Sequence, residues 1–147
     1  MGMFGAIDSA ASGLTAERLR MDVISNNIAN VNTTRTAEGG PYRRQLLVFE
    51  PRSSGDSFSD ILTGKLGQSG ENAGVKVVGI TKDQSPLRLV YDPTHPDANR
   101  NGYVEMPNVN VVTEMVDMIT ASRAYEANVT TINAAKSMAQ KALEIGK

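Results

Sequence analysis

The chain has no cysteine, no tryptophan and a single histidine in 147 residues. The lack of cysteine excludes a disulfide framework and a thiolate metal site, and leaves the compartment open. Aromatic residues make up only 5%, which argues against a thick aromatic core and against stacking platforms for nucleic acid bases. An excess of either charge is also missing, with 15 basic residues against 16 acidic ones. The formal net charge is -1, so nothing marks a nucleic acid or an anionic membrane as partner. No apolar run approaches the length of a membrane span, and direct membrane insertion is not expected. The first residues carry no basic region, and Glu17, Arg18 and Arg20 interrupt any apolar run, so a cleaved secretory signal is not expected. Ala6 stands where a myristoylation signal needs Ser or Thr.

What is present is a pattern at both ends. Ile7, Leu14, Met21 and Ile28 recur every seventh residue. Val111, Met115, Met118, Tyr125, Val129, Ile132, Ala139 and Leu143 fall on three- and four-residue steps or their multiples. Each pattern sets one apolar seam along a helix, the spacing for lengthwise packing against another helix. Between them lie Gly, Pro and β-branched residues. The expected architecture is α+β: long N- and C-terminal helices packed antiparallel as a coiled-coil-like stalk, with a small β-rich domain inserted. Residues 1–33 would form the first helix of the stalk, 34–106 the insert with a long loop near 52–74, and 107–147 the second helix.

Local signals refine this. The first helix is expected over 4–30, weakened by about 1 kcal/mol at each of Gly5 and Gly13 relative to Ala. Asn26, Asn27, Asn30 and Asn32 stop it, because their side chains compete for backbone hydrogen bonds. Glu38-Gly39-Gly40-Pro41 is a turn, and strands are expected over 42–49, 75–80 and 87–91. The two prolines of Asp92-Pro93-Thr94-His95-Pro96-Asp97 exclude helix there. The last helix is expected over 112–145, with Gly146 as its terminator.

Candidate chemistry is sparse. His95 with Asp92 and Asp97 offers one nitrogen and two carboxylates, but they sit in a proline-rich turn with no second histidine, which favours local capping over a metal site. Glu114 and Asp117 lie one turn apart at the start of the last helix, where acidic residues favour the macrodipole. Gly39-Gly40-Pro41 lacks the lysine and hydroxyl of a phosphate loop. Arg43-Arg44 reads as the polar face of a strand. No Ser or Thr has an available base other than His95. No catalytic, metal or cofactor site is expected, and the chain does not read as an enzyme.

The informative constellation is polar and sits on the helices. Asn26-Asn27-Ile28-Ala29-Asn30-Val31-Asn32-Thr33 reads as a hydrogen-bonding junction between stalk and insert, since such a density of amides needs partners. Ser122-Arg123-Ala124-Tyr125-Glu126-Ala127-Asn128 combines small residues for close approach with Arg123 and Asn128, which can reach across an interface. The assembly interface expected from these patterns comprises Ile7, Leu14, Met21, Asn26, Asn27, Ile28 and Asn30, with Met115, Met118, Arg123, Tyr125, Asn128, Val129 and Ile132.

Ser12-Gly13-Leu14 followed by Ile24-Ser25-Asn26-Asn27-Ile28-Ala29-Asn30-Val31-Asn32-Thr33 resembles the N-terminal signature of the bacterial flagellar rod and hook axial proteins. Thr34-Arg35-Thr36, leading to Gly39-Gly40-Pro41-Tyr42-Arg43-Arg44, is similar to the proximal-rod members of that family. Other members follow the Asn-rich motif with a Pro-Gly-aromatic turn, which is absent here. The stretches 91–98, 102–104, 107–109, 114–118 and 122–128 carry the same resemblance, while 52–74 carries least.

The resemblance implies a structural subunit of the flagellar basal-body rod. Terminal helices would line the central channel, and the insert would form an outer β-rich domain. Subunits would leave through the flagellar type III export apparatus, without signal cleavage, and assemble with copies of themselves and other rod proteins into a periplasm-spanning drive shaft. Inner-membrane ring and export-gate components would be neighbours at its base. Two other readings fit the residues: a soluble coiled-coil adaptor or secreted effector gripping a helical partner, and a metal-assisted hydrolase at Asp92, His95 and Asp97.

Overall fold

The computed structural model describes residues 3–52 and 74–145. Apart from its two ends, the long loop expected near 52–74 lies outside the described residues. Helix α1 spans Met3–Ala29 and ends within the asparagine cluster, with Asn26 and Asn27 in its last turn and Asn30 just beyond it. Asn30 donates both its backbone N–H (3.1 Å) and its side-chain Nδ2 (2.9 Å) to the Asn26 carbonyl, and Thr33 N–H donates to the Asn30 carbonyl at 3.0 Å. These bonds satisfy carbonyls that the helix leaves open at its last turn.

Four strands follow among the described residues. Strands β1 (Gln45–Pro51) and β2 (Val75–Lys82) pair in one sheet. Arg52 N–H donates to the Gly74 carbonyl and Asp83 N–H to the Arg44 carbonyl, each at 2.8 Å, so the two strands run antiparallel. β1 begins three residues later than the sequence suggests. Tyr42 and Arg44 are drawn instead into side-chain bonds with α1 and the last helix. Pro51 closes the strand, a position where a missing N–H is tolerated.

Strands β3 (Arg88–Tyr91) and β4 (Tyr103–Met106) form a second antiparallel sheet, with Leu89 opposite Glu105 and Tyr91 opposite Tyr103. β4 was not anticipated. Of its four side chains only Val104 is buried, so its pattern is too short and too polar to announce a strand. The Tyr91 and Tyr103 rings meet edge to face, 5.2 Å between centroids, a favoured aromatic geometry.

Helix α2 spans Val111–Ile145, about 50 Å at ~1.5 Å per residue. Asn110 is its N-cap: Oδ1 accepts the N–H of Val112 at 3.0 Å and of Thr113 at 3.4 Å, while the Asn110 carbonyl takes Glu114 N–H.

The described residues divide into two compact units. One draws on Met1–Leu19, Phe49–Val78 and Ser122–Lys147, the other on Arg20–Val48 and Gly79–Ala121. In the first, Ala10, Ala16 and Ala135 are buried. There Gly13 faces Asn128 so closely that a Cβ at Gly13 would sit 2.8 Å from Asn128 Nδ2. Val75 N–H donates to Ser12 Oγ at 3.1 Å, and Arg52 pairs with Asp8 at 3.3 Å. In the second unit Val23, Ile24, Val104, Val109 and Ala121 are buried together with Asn27, Pro107 and Glu114.

The buried line on the helices differs from the expected seams. Ile7, Leu14, Met21 and Ile28 are only half-buried, whereas burial falls on Ala10, Ala16, Val23, Ile24 and Asn27. On α2 it falls on Glu114, Ala121 and Ala135, a seven-residue period carried by small or polar side chains. Hydrophobic periodicity detects large side chains. Here the most complete burial on the helices goes to Ala121 and to the polar Asn27 and Glu114, and several of the other buried positions are alanines, which let neighbouring backbone approach.

Candidate functional site

The best-connected group of polar side chains lies in the second unit and centres on Asn27. Its position on the last turn of α1 puts it next to the chain leaving the Gly39-Gly40 turn (φ +89° and +75°). Asn27 Oδ1 accepts the Tyr42 hydroxyl and the Gln45 backbone N–H, both at 2.9 Å. Its Nδ2 donates to the Gln45 carbonyl and to Glu114 Oε2, both at 3.0 Å. The side-chain amide thus pairs with both backbone groups of Gln45, as a neighbouring strand would. It holds the start of β1 while reaching α2. All four polar contacts are made at 1% residual exposure, so none is replaceable by water without rearrangement.

Arg44 completes the group. Its Nε donates to Glu114 Oε1 at 2.6 Å and its Nη2 to Asp117 Oδ2 at 3.3 Å. Its backbone N–H donates to Asn108 Oδ1 at 2.8 Å, and Asn108 Nδ2 reaches the carbonyls of Asp83 and Ser85. Glu114, also 1% exposed, is therefore a buried anion with a guanidinium on one oxygen and an amide on the other. Glu114 does lie in the first turn of α2, and beyond the expected polar face and macrodipole roles Arg44, Glu114 and Asp117 form one ionic group. Their separation of 70 residues and more hides the pairing from any local pattern. The signal available was one of charge balance, two acids one turn apart and an arginine opening a strand. Burial, and secondarily the negative charge of Glu114, push the Tyr42 hydroxyl above the usual tyrosine value.

The other residues singled out from the sequence fall outside this group. Asn26 is exposed, and Asn30 is engaged locally, its Oδ1 accepting the Thr33 hydroxyl at 3.1 Å. Met115 and Arg123 are exposed, while Met118, Tyr125, Asn128, Val129 and Ile132 are half-buried. His95 Nδ1 accepts the Asp97 N–H at 3.1 Å. Asp92 Oδ1 takes the Thr94 N–H and hydroxyl, which lowers its pKa. Asp97 Oδ2 accepts the Thr34 hydroxyl at 2.8 Å. Each side chain of this trio is engaged in a local bond of its own, and among the described residues no group of three His, Asp or Glu side chains is placed to hold a metal ion.

Comparison with known proteins bears on both ends of the chain. A family model described as "Flagella basal body rod protein" matches residues 7–35, and one described as "Flagellar basal body rod FlgEFG protein C-terminal" matches residues 100–145. The chain is 57% identical to a flagellar basal-body rod protein FlgC of Borreliella burgdorferi, covering 99% of this chain and 98% of that one. It is 52% identical to the protein of the same name in Bacillus subtilis and 40% identical to that of Salmonella typhimurium, in both cases over the full length of both chains.

Two terminal helices with matched rod signatures around small antiparallel sheets define a flagellar axial protein. The chain belongs to the FlgC family of flagellar basal-body rod proteins. It is a structural subunit of the basal body, not an enzyme.

Proposed function

We propose that the chain builds the proximal rod through its terminal helices, and that the finished tube transmits torque and surrounds an export channel. Residues 1–33 and 107–147 act as the stalk and 34–106 as an outer insert. In this reading α1 and α2 run antiparallel. Each unit by itself holds a close contact between the two helices: Gly13 lies against Asn128 in one, and Asn27 bonds Glu114 in the other.

The observation that carries the assembly reading is the outer face of α2. Val112 is 71% exposed and Met115 54%, and Val116 and Ile119 are exposed beside them. This i, i+3, i+4, i+7 stripe is an apolar helix face left uncovered among the described residues. Burying each side chain against a neighbour contributes roughly 1.5–3 kcal/mol, and a tube repeats the contact in every copy. The half-buried seam of Ile7, Leu14, Met21 and Ile28, with Asn26 and Asn30 beyond it, supplies the α1 side of the interface. Met118, Arg123, Tyr125, Asn128, Val129 and Ile132 extend the α2 side. Neighbours are copies of this chain and other rod proteins, with the inner-membrane ring and export gate at the base. Passage through the type III apparatus uses the unfolded chain.

The test is cross-linking in isolated basal bodies. Cysteine introduced at Met115 or Ile119, in a chain that has none, and treated with a thiol-to-amine cross-linker should couple to lysines of a rod neighbour rather than only to lysines of its own subunit. Exclusive intramolecular coupling, or none at either position, would refute the interface.

A further inference from the structure

At the tip between β3 and β4, Asn99 organises the turn with its backbone and its side chain. Its N–H donates to the Tyr103 carbonyl and its carbonyl accepts the Gly102 N–H, both at 2.9 Å. Its Oδ1 accepts the N–H of Asn101 at 2.9 Å and of Tyr103 at 3.0 Å. Asn101 is exposed, and it is the chain's one asparagine followed by glycine. Every other asparagine precedes a residue whose side chain shields the next backbone nitrogen.

We propose that Asn101 is a site of spontaneous deamidation and isomerisation, held in check by the Asn99 clamp while the hairpin is folded. The Gly102 backbone nitrogen, once its proton has gone to solvent, attacks Asn101 Cγ. A carbon–nitrogen bond closes a succinimide ring, and Nδ2 takes up a solvent proton and leaves as ammonia. Water then opens the ring. Opening at Cγ gives aspartate; opening at the Asn101 main-chain carbonyl gives isoaspartate, with the backbone rerouted through Cγ.

The nucleophile of this reaction is the nitrogen whose N–H is bound to Asn99, so it is unavailable until that bond breaks. Conversion in the folded chain therefore follows the fraction of time the hairpin is open. The isoaspartate product does not refit. It lengthens the main chain by one carbon between residues 101 and 102, inside a turn whose spacing is set by the bonds of Asn99 to Asn101, Gly102 and Tyr103. The change adds a negative charge and breaks the clamp that sets Tyr91 against Tyr103.

The full chain is incubated in buffer and in guanidinium chloride, and residue 101 is followed by peptide mass and by isoaspartate methylation. Wild type in denaturant should convert at least about tenfold faster than in buffer, the ratio set by hairpin opening. Asn99→Ala in buffer should move toward the denatured rate. Asn99→Asp, which keeps an acceptor oxygen, should retain protection. Gly102→Ala in denaturant should slow conversion, because its methyl group crowds the attacking nitrogen. Equal wild-type rates in the two media would overturn the protective role of the clamp. No conversion in denaturant, or an unchanged rate for Gly102→Ala, would overturn the site itself.

Discussion

Asn27 and Glu114, 87 residues apart in sequence, share a 3.0 Å hydrogen bond from Nδ2 to Oε2 with both side chains almost wholly buried. One bond thus ties the end of α1 to the start of α2. The remaining atoms of the same two side chains hold the entry to β1.

Asn27→Ala removes one amide and leaves the Gln45 N–H and carbonyl, the Tyr42 hydroxyl and Glu114 Oε2 each short of a partner. At about 1–3 kcal/mol for an unmet buried group, with partial relaxation, the total cost is expected to be about 3 kcal/mol. Asn30→Ala removes only local capping bonds and is expected to cost no more than about 1 kcal/mol. Urea unfolding of the two variants checks this. Equal midpoints would show that Asn27 is no more than a helix-end asparagine.

Arg44→Met strands the Glu114 carboxylate, and breaking a buried pair this way costs about 3–5 kcal/mol. Adding Glu114→Leu should recover most of that loss, since an apolar pair needs no counter-charge. The double-mutant cycle, read by chemical denaturation, is expected to show strong coupling between the two positions. Additive losses would mean that Arg44 and Glu114 act independently.

The α+β class and the helices were legible because capping chemistry and apolar content are local. Asn30 ends its helix within a few residues of itself, whereas Asn110, the N-cap of α2, was not singled out. Asn27 was legible as part of a junction because asparagine at the close of an apolar helix needs partners. Its particular role was not legible, since Glu114, Tyr42 and Gln45 reach it only after the chain has folded back. The packing line failed for a different reason. Ala10, Gly13, Ala16, Ala121 and Ala135 carry little weight on a hydrophobic scale, yet small side chains are what close helix approach requires.

That approach makes a direct prediction at Gly13. A methyl group there meets Asn128 Nδ2 at 2.8 Å, so Gly13→Ala should destabilise the chain by about 1 kcal/mol despite its better helix propensity. With Asn128→Ala in place the crowding is gone, and the same substitution should stabilise by about 1 kcal/mol. Thermal unfolding of the four chains measures both. The same sign in both backgrounds would contradict the close contact.

Tyr42 gives a pH-dependent signature. Its folded pKa is raised above the ordinary 10.0, so its neutral form is favoured by folding. The stability it contributes is fully present below the unfolded value and is lost as pH rises through the folded one. Alkaline difference spectroscopy should show a phenol titrating above 10.0, and Tyr42→Phe should remove that component. Loss of a component titrating at or below 10.0 would contradict the burial of the Tyr42 hydroxyl beside Glu114.

The central claim is that the exposed face of α2 assembles the rod while the chain's chemistry-like residues do not act chemically. Motility, export and purified stability of Met115→Asp and Val116→Asp, beside His95→Asn, test it together. Both aspartates sit on an exposed face, so the purified variants should unfold with wild type and be exported. In a packed interface each charge is costly to desolvate, so the cells should not swim. His95→Asn should swim. Swimming by both aspartate variants, or immobility of a stable and exported His95→Asn variant, would contradict the account.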